Sequence, residues 1–380
     1  MVPNRVIFPF TNEKIGGSHI SAMTLGACLQ RDHGVEVVVA ASADSLIGEV
    51  AREKGFTFWP LAERPSFRHG LLAEARLLPG RLRPLASQPS GTIVHANDLS
   101  ALQSWGVAAR LRGLPVIYHN RAFNRMIAPN LAVMQLAHRI ICISQAVERR
   151  LPKRLVDRAV LIDNPIELQA SGDPAALRRG FDERYPVARG ANLVGFIGNF
   201  AHRKRPRFFL EMARFVAERR PATVFVIFGR EVDDSQAALE RYAAGLGIAD
   251  KVIFAGFRLP IEDNIVVLDL LAITAVEEPL GRTPVEALML GVPYVATDDA
   301  GLGETGRRFG GGGLVARDAS PEQFAQAVLE WLDAHDVQQP GRVCERARER
   351  ARDAFGARLH TERVLALYDE LTSAPVARQS

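Results

Sequence analysis

The stretch Glu277-Glu278-Pro279-Leu280-Gly281-Arg282-Thr283-Pro284-Val285-Glu286-Ala287-Leu288 decides how this chain is read. It lies between two apolar runs, Leu270 to Thr274 and Pro293 to Ala296, with the length and composition of buried strands. What separates them reads as a loop followed by a helix. Thr283 suits the N-cap, Pro284 the first helical position, where a missing N–H costs nothing, and Gly291-Val292-Pro293 ends the helix. Glu286 then falls at the third helical position and has two readings. In one it closes a capping box by accepting from the Thr283 amide. In the other, Gly281 to Thr283 offer backbone amides to an anion at a helix head, and the carboxylates of Glu278 and Glu286 hold hydroxyl groups beside it.

Strand, loop, helix, strand is one beat of a rhythm that runs through the chain. In the first half the apolar runs are Val6 to Phe10, Val35 to Ala40, Thr92 to His95, Val116 to His119, Ile140 to Ile143 and Val160 to Ile162. Helical spacing appears between Ile20 and Arg31 and between Leu99 and Leu111. The second half restarts with Leu193 to Ile197, Val224 to Phe228, Lys251 to Phe254, Leu270 to Thr274 and Pro293 to Ala296. Strands buried on both faces and alternating with helices predict parallel sheets covered on both sides. At 380 residues the chain can bury two such cores. The Ala-, Gly-, Arg- and Asp-rich segment Gln169 to Asn192 is the expected linker, with the cut near residue 180. The expected fold class is α/β: two Rossmann-like, doubly wound parallel-sheet domains, residues 1–180 and 181–354, facing a central cleft that receives the ligand loops at the strand ends. Gly310 to Gly313 is the one low-complexity patch.

Composition narrows the function. With 47% hydrophobic and 24% charged residues the chain is globular, not disordered. The net charge of +4 is carried by arginine, and no basic stripe interleaved with aromatics points to nucleic acid. Cys28, Cys142 and Cys344 are widely spaced, which predicts buried thiols in a reducing compartment. The N-terminal apolar run is too short for a secretion signal, and no run reaches the ~18 apolar residues of a membrane span. A cytoplasmic location is expected. From Arg64 to Pro84, Arg64, Arg68, Arg76, Arg81 and Arg83 mix with Phe67 and leucines. That stretch is either a helix packed on the first sheet with a wet basic face or a peripheral contact with anionic lipid. Gly16-Gly17-Ser18, between a strand and a helical pattern, is a turn or a loop whose amides meet a phosphate or sugar oxygen. It is not a G-x-G-x-x-G fingerprint.

With these surroundings, the Glu278 to Leu288 stretch resembles glycosyltransferase family 4, the retaining, nucleotide-sugar-dependent enzymes of GT-B architecture. Their signature is E-x7-E in the setting E-G-F-G-x-x-x-x-E-A. Glu278 and Glu286 match its glutamates and Gly281 its second glycine, while Pro279 replaces the first glycine and Leu280 the aromatic. Gly198-Asn199-Phe200-Ala201-His202-Arg203-Lys204 is similar to the G-R-x-x-x-x-K segment that supplies two cations to the diphosphate. Lys204 falls on the lysine, but Asn199 stands where arginine is expected, a loss of charge at the leaving group. Arg203, Arg205 and Arg282 are candidates to replace it, Arg203 first. Ile141 to Ser144, Asp163 to Ile166, Val226 to Gly229, Ile253 to Gly256 and Gly313 to Val315 resemble further family segments. Residues 355–380 resemble the C-terminal helix that returns to the first domain. Gly256 and Phe257 would flank the base, although Phe257 also reads as a core aromatic. His119 would lie near the donor sugar, whereas His95 reads as structural. Asp298-Asp299 reads as an ordinary loop after a strand.

The candidate catalytic residues are therefore Glu278, His119 and Lys204. The candidate donor site is Gly16, Gly17, Asn199, Arg203, Lys204, Gly256, Phe257, Glu278, Leu280, Gly281, Arg282, Thr283 and Glu286. The resemblance implies transfer with retention from a nucleoside diphosphate sugar to a glycan, lipid-linked or small-molecule acceptor, in surface polysaccharide or glycoconjugate synthesis. Glu286 would hold the ribose and Glu278 the donor sugar. The donor is a substrate, no other cofactor is expected, and with no H-E-x-x-H, Cys/His cluster or D-x-D no metal is implied. Two alternatives share the architecture: a sugar-nucleotide epimerase, and a degenerate sugar-nucleotide-binding protein, the latter motivated by Asn199.

Overall fold

Burial on both faces turns the Val- and Ile-rich runs into strands. A computed structural model of the chain describes residues 2–11, 16–61, 70–168, 170–336 and 345–373. In it Val37 to Val39 and Phe225 to Ile227 are wholly inaccessible. The first sheet contains β1 (Arg5–Pro9), β2 (Glu36–Ser42), β3 (Thr57–Leu61), β4 (Thr92–Ala96), β5 (Val116–Asn120), β6 (Arg139–Cys142) and β7 (Ala159–Leu161). Its order is β3-β2-β1-β4-β5-β6-β7, parallel throughout. The second contains β8 (Asn192–Ile197), β9 (Thr223–Phe228), β10 (Val252–Gly256), β11 (Leu270–Ile273), β12 (Tyr294–Asp298) and β13 (Gly312–Ala316). Its order is β10-β9-β8-β11-β12-β13, again parallel. In each sheet the winding reverses beside the first strand, so the loops after β8 and β11 flank the switch point of the second sheet. Doubly wound sheets bind ligands at such points.

Two strands escape the sequence pattern. β3 is a half-exposed edge strand containing Pro60, and an edge is where a sheet tolerates a residue without an N–H. β13 is the glycine patch read as low complexity. A Cβ on Gly312 would lie 2.5 Å from the Tyr294 ring, and one on Gly313 2.7 Å from Trp331 Nε1. Aromatic rings fill the space that side chains would take.

The chain divides into a first unit, made of the residues up to Ile166 and those from Phe355 onward, and a second unit, Glu167–Ala354. The expected cut near residue 180 is corrected to the stretch around 166, because it would split helix Pro174–Arg184. That helix is tied into the second unit by Arg178, which donates to Asp269 (3.0 Å), to the Val267 carbonyl (3.2 Å) and to the Ala191 carbonyl (2.8 Å). Cys28 and Cys142 are free and buried, with burial pushing the Cys142 thiol up to about 12. Cys344 lies outside the described residues. So do Arg64, Phe67 and Arg68 of the basic stretch; its remainder forms helix Gly70–Leu85. There Arg81 is buried with its guanidinium 5.0 Å from the Trp105 ring, while Arg76 and Arg83 stay exposed. No described helix is long and apolar enough to cross a membrane.

Helix Ala357–Ser373 docks on the first unit through a buried histidine cluster. His95 Nδ1 lies 2.6 Å from the Tyr368 hydroxyl and His95 Nε2 3.2 Å from His119 Nδ1. His119 stacks on His360 at a ring separation of 5.9 Å, and His360 Nδ1 donates to the Asp163 carbonyl at 2.7 Å. Burial first, then the nearby Arg121 charge, holds His95 and His119 well below the usual histidine range. The same causes bring His360 down to about 3. The unfolded chain takes up protons on these rings below pH 6.5 while the folded chain does not. The stabilisation is thus present above that pH and lost as the pH falls toward the lowered values. Thermal melts should show stability falling below pH 6.5 by about 1.4 kcal/mol per pH unit for each such ring. His360→Gln should flatten the profile between pH 6.5 and 5; an unchanged slope would remove His360 as a cause.

Candidate active site

After β8 the chain passes through Gly198 and Asn199 into a 3-10 turn, His202–Lys204, and then into helix Pro206–Arg219. Arg205 joins turn to helix in the left-handed region, φ 57°. The residues following β11 reach over and fasten this turn. The Thr274 hydroxyl donates to the Lys204 carbonyl at 2.9 Å, and the Val276 N–H donates to the Arg203 carbonyl at 2.8 Å. Side chains from the two loops therefore meet. Lys204 Nζ lies 2.5 Å from Glu278 Oε1, and the Arg203 guanidinium reaches the same oxygen. Lys204 and Glu278 are only 17% and 14% exposed, Arg203 50%, so the inner pair is the better shielded one.

The loop carrying Glu278 is held backbone against backbone. The Gly301 N–H donates to the Glu278 carbonyl (2.9 Å), the Thr305 hydroxyl to the Leu280 carbonyl (3.2 Å), and the Glu277 N–H to Asp299 (2.5 Å). Asp299 is fixed in turn by Arg317 at 3.0 Å. A Cβ on Gly301 would fall 2.5 Å from the Leu280 carbonyl carbon, and one on Gly281 3.0 Å from the Gly301 backbone. Gly281 also has φ 69°. Both demands exclude other residues, and they set the start of helix Arg282–Leu290. The N-cap is therefore Gly281 rather than the expected Thr283, which becomes the second helical residue, with Pro284 the third.

The capping-box reading of Glu286 fails with it. Its carboxylate is buried and accepts from Arg282 Nε one turn earlier. Burial raises the Glu286 carboxyl above the usual range, opposed by Arg282 and, more weakly, by Lys204. Arg282 and Thr283 are half-buried, and their amides precede the first intrahelical bond. Leu280, which precedes this head, is buried.

The other sequence candidates divide by unit. Asn199 is exposed, and its Oδ1 accepts from Arg230 Nε at 3.3 Å. Phe257 follows Gly256 (φ 73°) and is 53% exposed, which overturns the core-aromatic reading. Gly16, Gly17 and His119 belong to the first unit. Gly16 caps helix Gly17–His33, but its N–H already donates to His19 Nδ1 at 3.1 Å. His119 is fully buried in the histidine cluster, 3.0 Å from Arg121. Sequence reading missed Arg230, Asp299 and Gly301. Arg230 directly follows a glycine-ended strand, a signal available in the sequence, whereas the latter two have no signature outside the fold. Among the described residues no group of three or more His, Cys, Asp or Glu is arranged to hold a metal.

Residues 15–170 match the family profile described as Glycosyltransferase Family 4, and residues 191–334 the profile described as Glycosyl transferases group 1. The chain belongs to glycosyltransferase family 4. It is 28% identical over 293 residues to the 2-deoxystreptamine glucosyltransferase of Streptomyces kanamyceticus, covering 74% of this chain and 72% of that one. It is 32% identical over 130 residues to the lipopolysaccharide core biosynthesis mannosyltransferase LpsB of Rhizobium meliloti, covering 33% of this chain and 37% of that one. In structure it is similar to Anabaena HepE solved with UDP, with a TM-score of 0.77, 19% identity, and coverage of 96% and 100%. A glycosyltransferase of Rickettsia africae gives a TM-score of 0.83 at 15% identity, covering 98% and 100%. The fold is thus GT-B and the chain is a glycosyltransferase. The epimerase alternative is left without support.

The close backbone contact in this family-4 loop makes a stability prediction. Gly301→Ala should cost about 1–3 kcal/mol in denaturant unfolding, because an overpacked backbone contact must open. Gly245→Ala, at the end of helix Gln236–Gly245 with nothing within 4 Å of the added carbon, should be neutral or stabilising. Equal effects at the two sites would contradict the interlock.

Proposed function

We propose that this chain is a retaining hexosyltransferase of the cytoplasm. Its second unit holds a nucleoside diphosphate sugar, and its first binds a glycan, lipid-linked or small-molecule acceptor in surface polysaccharide or glycoconjugate synthesis. The observation that carries the reading is the ion pair of Lys204 and Glu278 at the switch point of the second sheet, on the loop that runs into the Arg282–Thr283 helix head. A compact cation, a shielded carboxylate and two helix-head amides are what a pyrophosphate joined to sugars requires. The solved complex of HepE with UDP and the glucosyl- and mannosyltransferase relatives support a nucleotide donor and a hexosyl group. Arg76 and Arg83 are the exposed arginines of helix Gly70–Leu85 that a contact with anionic lipid would use.

As the glycosidic bond lengthens, negative charge grows on the departing diphosphate. Lys204 and the helix-head amides stabilise that charge in a preorganised setting, and so lower the barrier. Double displacement would need a carboxylate free to attack the anomeric carbon. Glu278 and Glu286 are each occupied by a cation, so we assign them to sugar hydroxyls, Glu278 to the donor sugar and Glu286 to the ribose. The acceptor oxygen then bonds to the anomeric carbon on the face the leaving group vacates and passes its proton to a diphosphate oxygen, so configuration is retained.

A thermal-shift screen with UDP, GDP, ADP and dTDP should give one clear stabilisation of the wild-type chain. Glu286→Gln, which keeps shape and removes charge, should weaken that nucleotide about tenfold or more by calorimetry. Its unliganded melting temperature should move little. A melting loss without a binding loss would make Glu286 structural only. NMR of the product should show the donor's anomeric configuration; inversion would defeat the mechanism, and tight binding without turnover would favour the degenerate binding protein.

A further inference from the structure

The strands β8, β9 and β10 are neighbours, and each is followed or ended by a glycine at its C-terminal tip: Gly198, Gly229 and Gly256. Their tips are laced together. The Gly198 N–H donates to the Phe228 carbonyl (3.0 Å), the Phe200 N–H to the Arg230 carbonyl (2.8 Å), and the Gly229 N–H to the Gly256 carbonyl (3.1 Å). A Cβ on Gly229 would sit 2.0 Å from the Gly198 carbonyl oxygen, so no side chain separates these tips. Asn199, Arg230 and Phe257 follow the three glycines. The Arg230 guanidinium carbon lies 4.4 Å from the Phe257 ring centroid while its Nε donates to Asn199 Oδ1 at 3.3 Å.

Charge pairing leaves Arg230 uncompensated. Arg203 is paired with Glu278, Arg207 with Asp234, Arg282 with Glu286 and Arg317 with Asp299. Arg205 lies over Phe208 at 3.8 Å and is half-buried, and burial lowers its affinity for a proton. Among the described residues Arg230 has only neutral partners, an amide oxygen and an aromatic face, and it is exposed. These partners orient the guanidinium without cancelling its charge. The platform also adjoins the site. The stem of Lys204 runs along Gly198, where a Cβ would be 3.4 Å from its Cδ, and Asn199 is the next residue.

We propose that Arg230 is a diphosphate-binding residue. It supplies from the tip of β9 the second cation that position 199 lacks, with Asn199 and Phe257 as the brackets that aim it. The proposal rests on the nucleotide-sugar reading of this site and deepens it. A planar, delocalised cation fits phosphate oxygens through paired N–H groups, and it complements the point charge of Lys204.

The test titrates the wild-type chain by calorimetry with UDP, GDP, ADP and dTDP, and with the monophosphate of whichever base binds. Arg230→Gln should lose about tenfold or more in affinity for the diphosphate, the share of one charge-assisted hydrogen bond, and much less for the monophosphate. Arg230→Lys should keep part of the affinity, and Asn199→Arg added to Arg230→Gln should restore most of it. An equal loss for both nucleotides would overturn the proposal in favour of stacking on the base. No loss, or no recovery from Asn199→Arg, would overturn it as well. A wild-type chain that binds none of the four nucleotides would bring down the donor-site reading itself, an outcome distinct from the others.

Discussion

The ion pair between Lys204 and Glu278 is the contact on which the site depends, and it exists only because β8 and β11 lie side by side. Neither side chain is free to wander. The Lys204 turn is fastened by the hydroxyl of Thr274 and the amide of Val276, which leads directly into Glu277 and Glu278. With both partners largely shielded, removing either would leave a desolvated charge, which costs more than the intact pair contributes. The same pairing holds a positive end and a carboxylate oxygen at a fixed separation. That preorganisation lets an electrostatic site act on a developing charge without rearranging.

A second constraint keeps the helix head in place. Gly281 and Gly301 let two backbone segments approach within contact distance, and Asp299, Thr305 and Arg317 finish the hydrogen bonding. The result is a helix that starts at a defined residue, with a proline at its third position and two amides ahead of it. Buried Glu286 faces Arg282 across one turn, so the charge desolvated by the fold is balanced within the same helix. The first unit handles its own buried polar groups differently. It gathers neutral histidines around Tyr368 and Asp163 and so docks a helix that arrives from the far end of the chain.

Much of this was legible before the fold was known. Nearly all the buried strands could be read, because a strand covered on both faces must be apolar at every position. The edge strand β3 could not, since half of it faces water and proline interrupts it. β13 could not either, because its side-chain space belongs to Tyr294 and Trp331. Glu278, Glu286, Gly281 and Lys204 stood out by the resemblance of their surroundings to family segments. Arg203 was legible as a cation but not as the partner of Glu278, and Arg230 was passed over because no short motif contains both it and Asn199.

By itself the sequence determined two parallel α/β sheets, the loop that carries the paired glutamates, and the family, since these follow from local periodicity and from residues a few positions apart. Only the tertiary structure decided which cations are neutralised and which are left with charge to offer. It also decided where the decisive helix begins and which unit claims helix Pro174–Arg184. Those outcomes depend on which strand ends become neighbours, and hydrogen bonding between strands far apart in sequence leaves no local trace in the residues that it brings together.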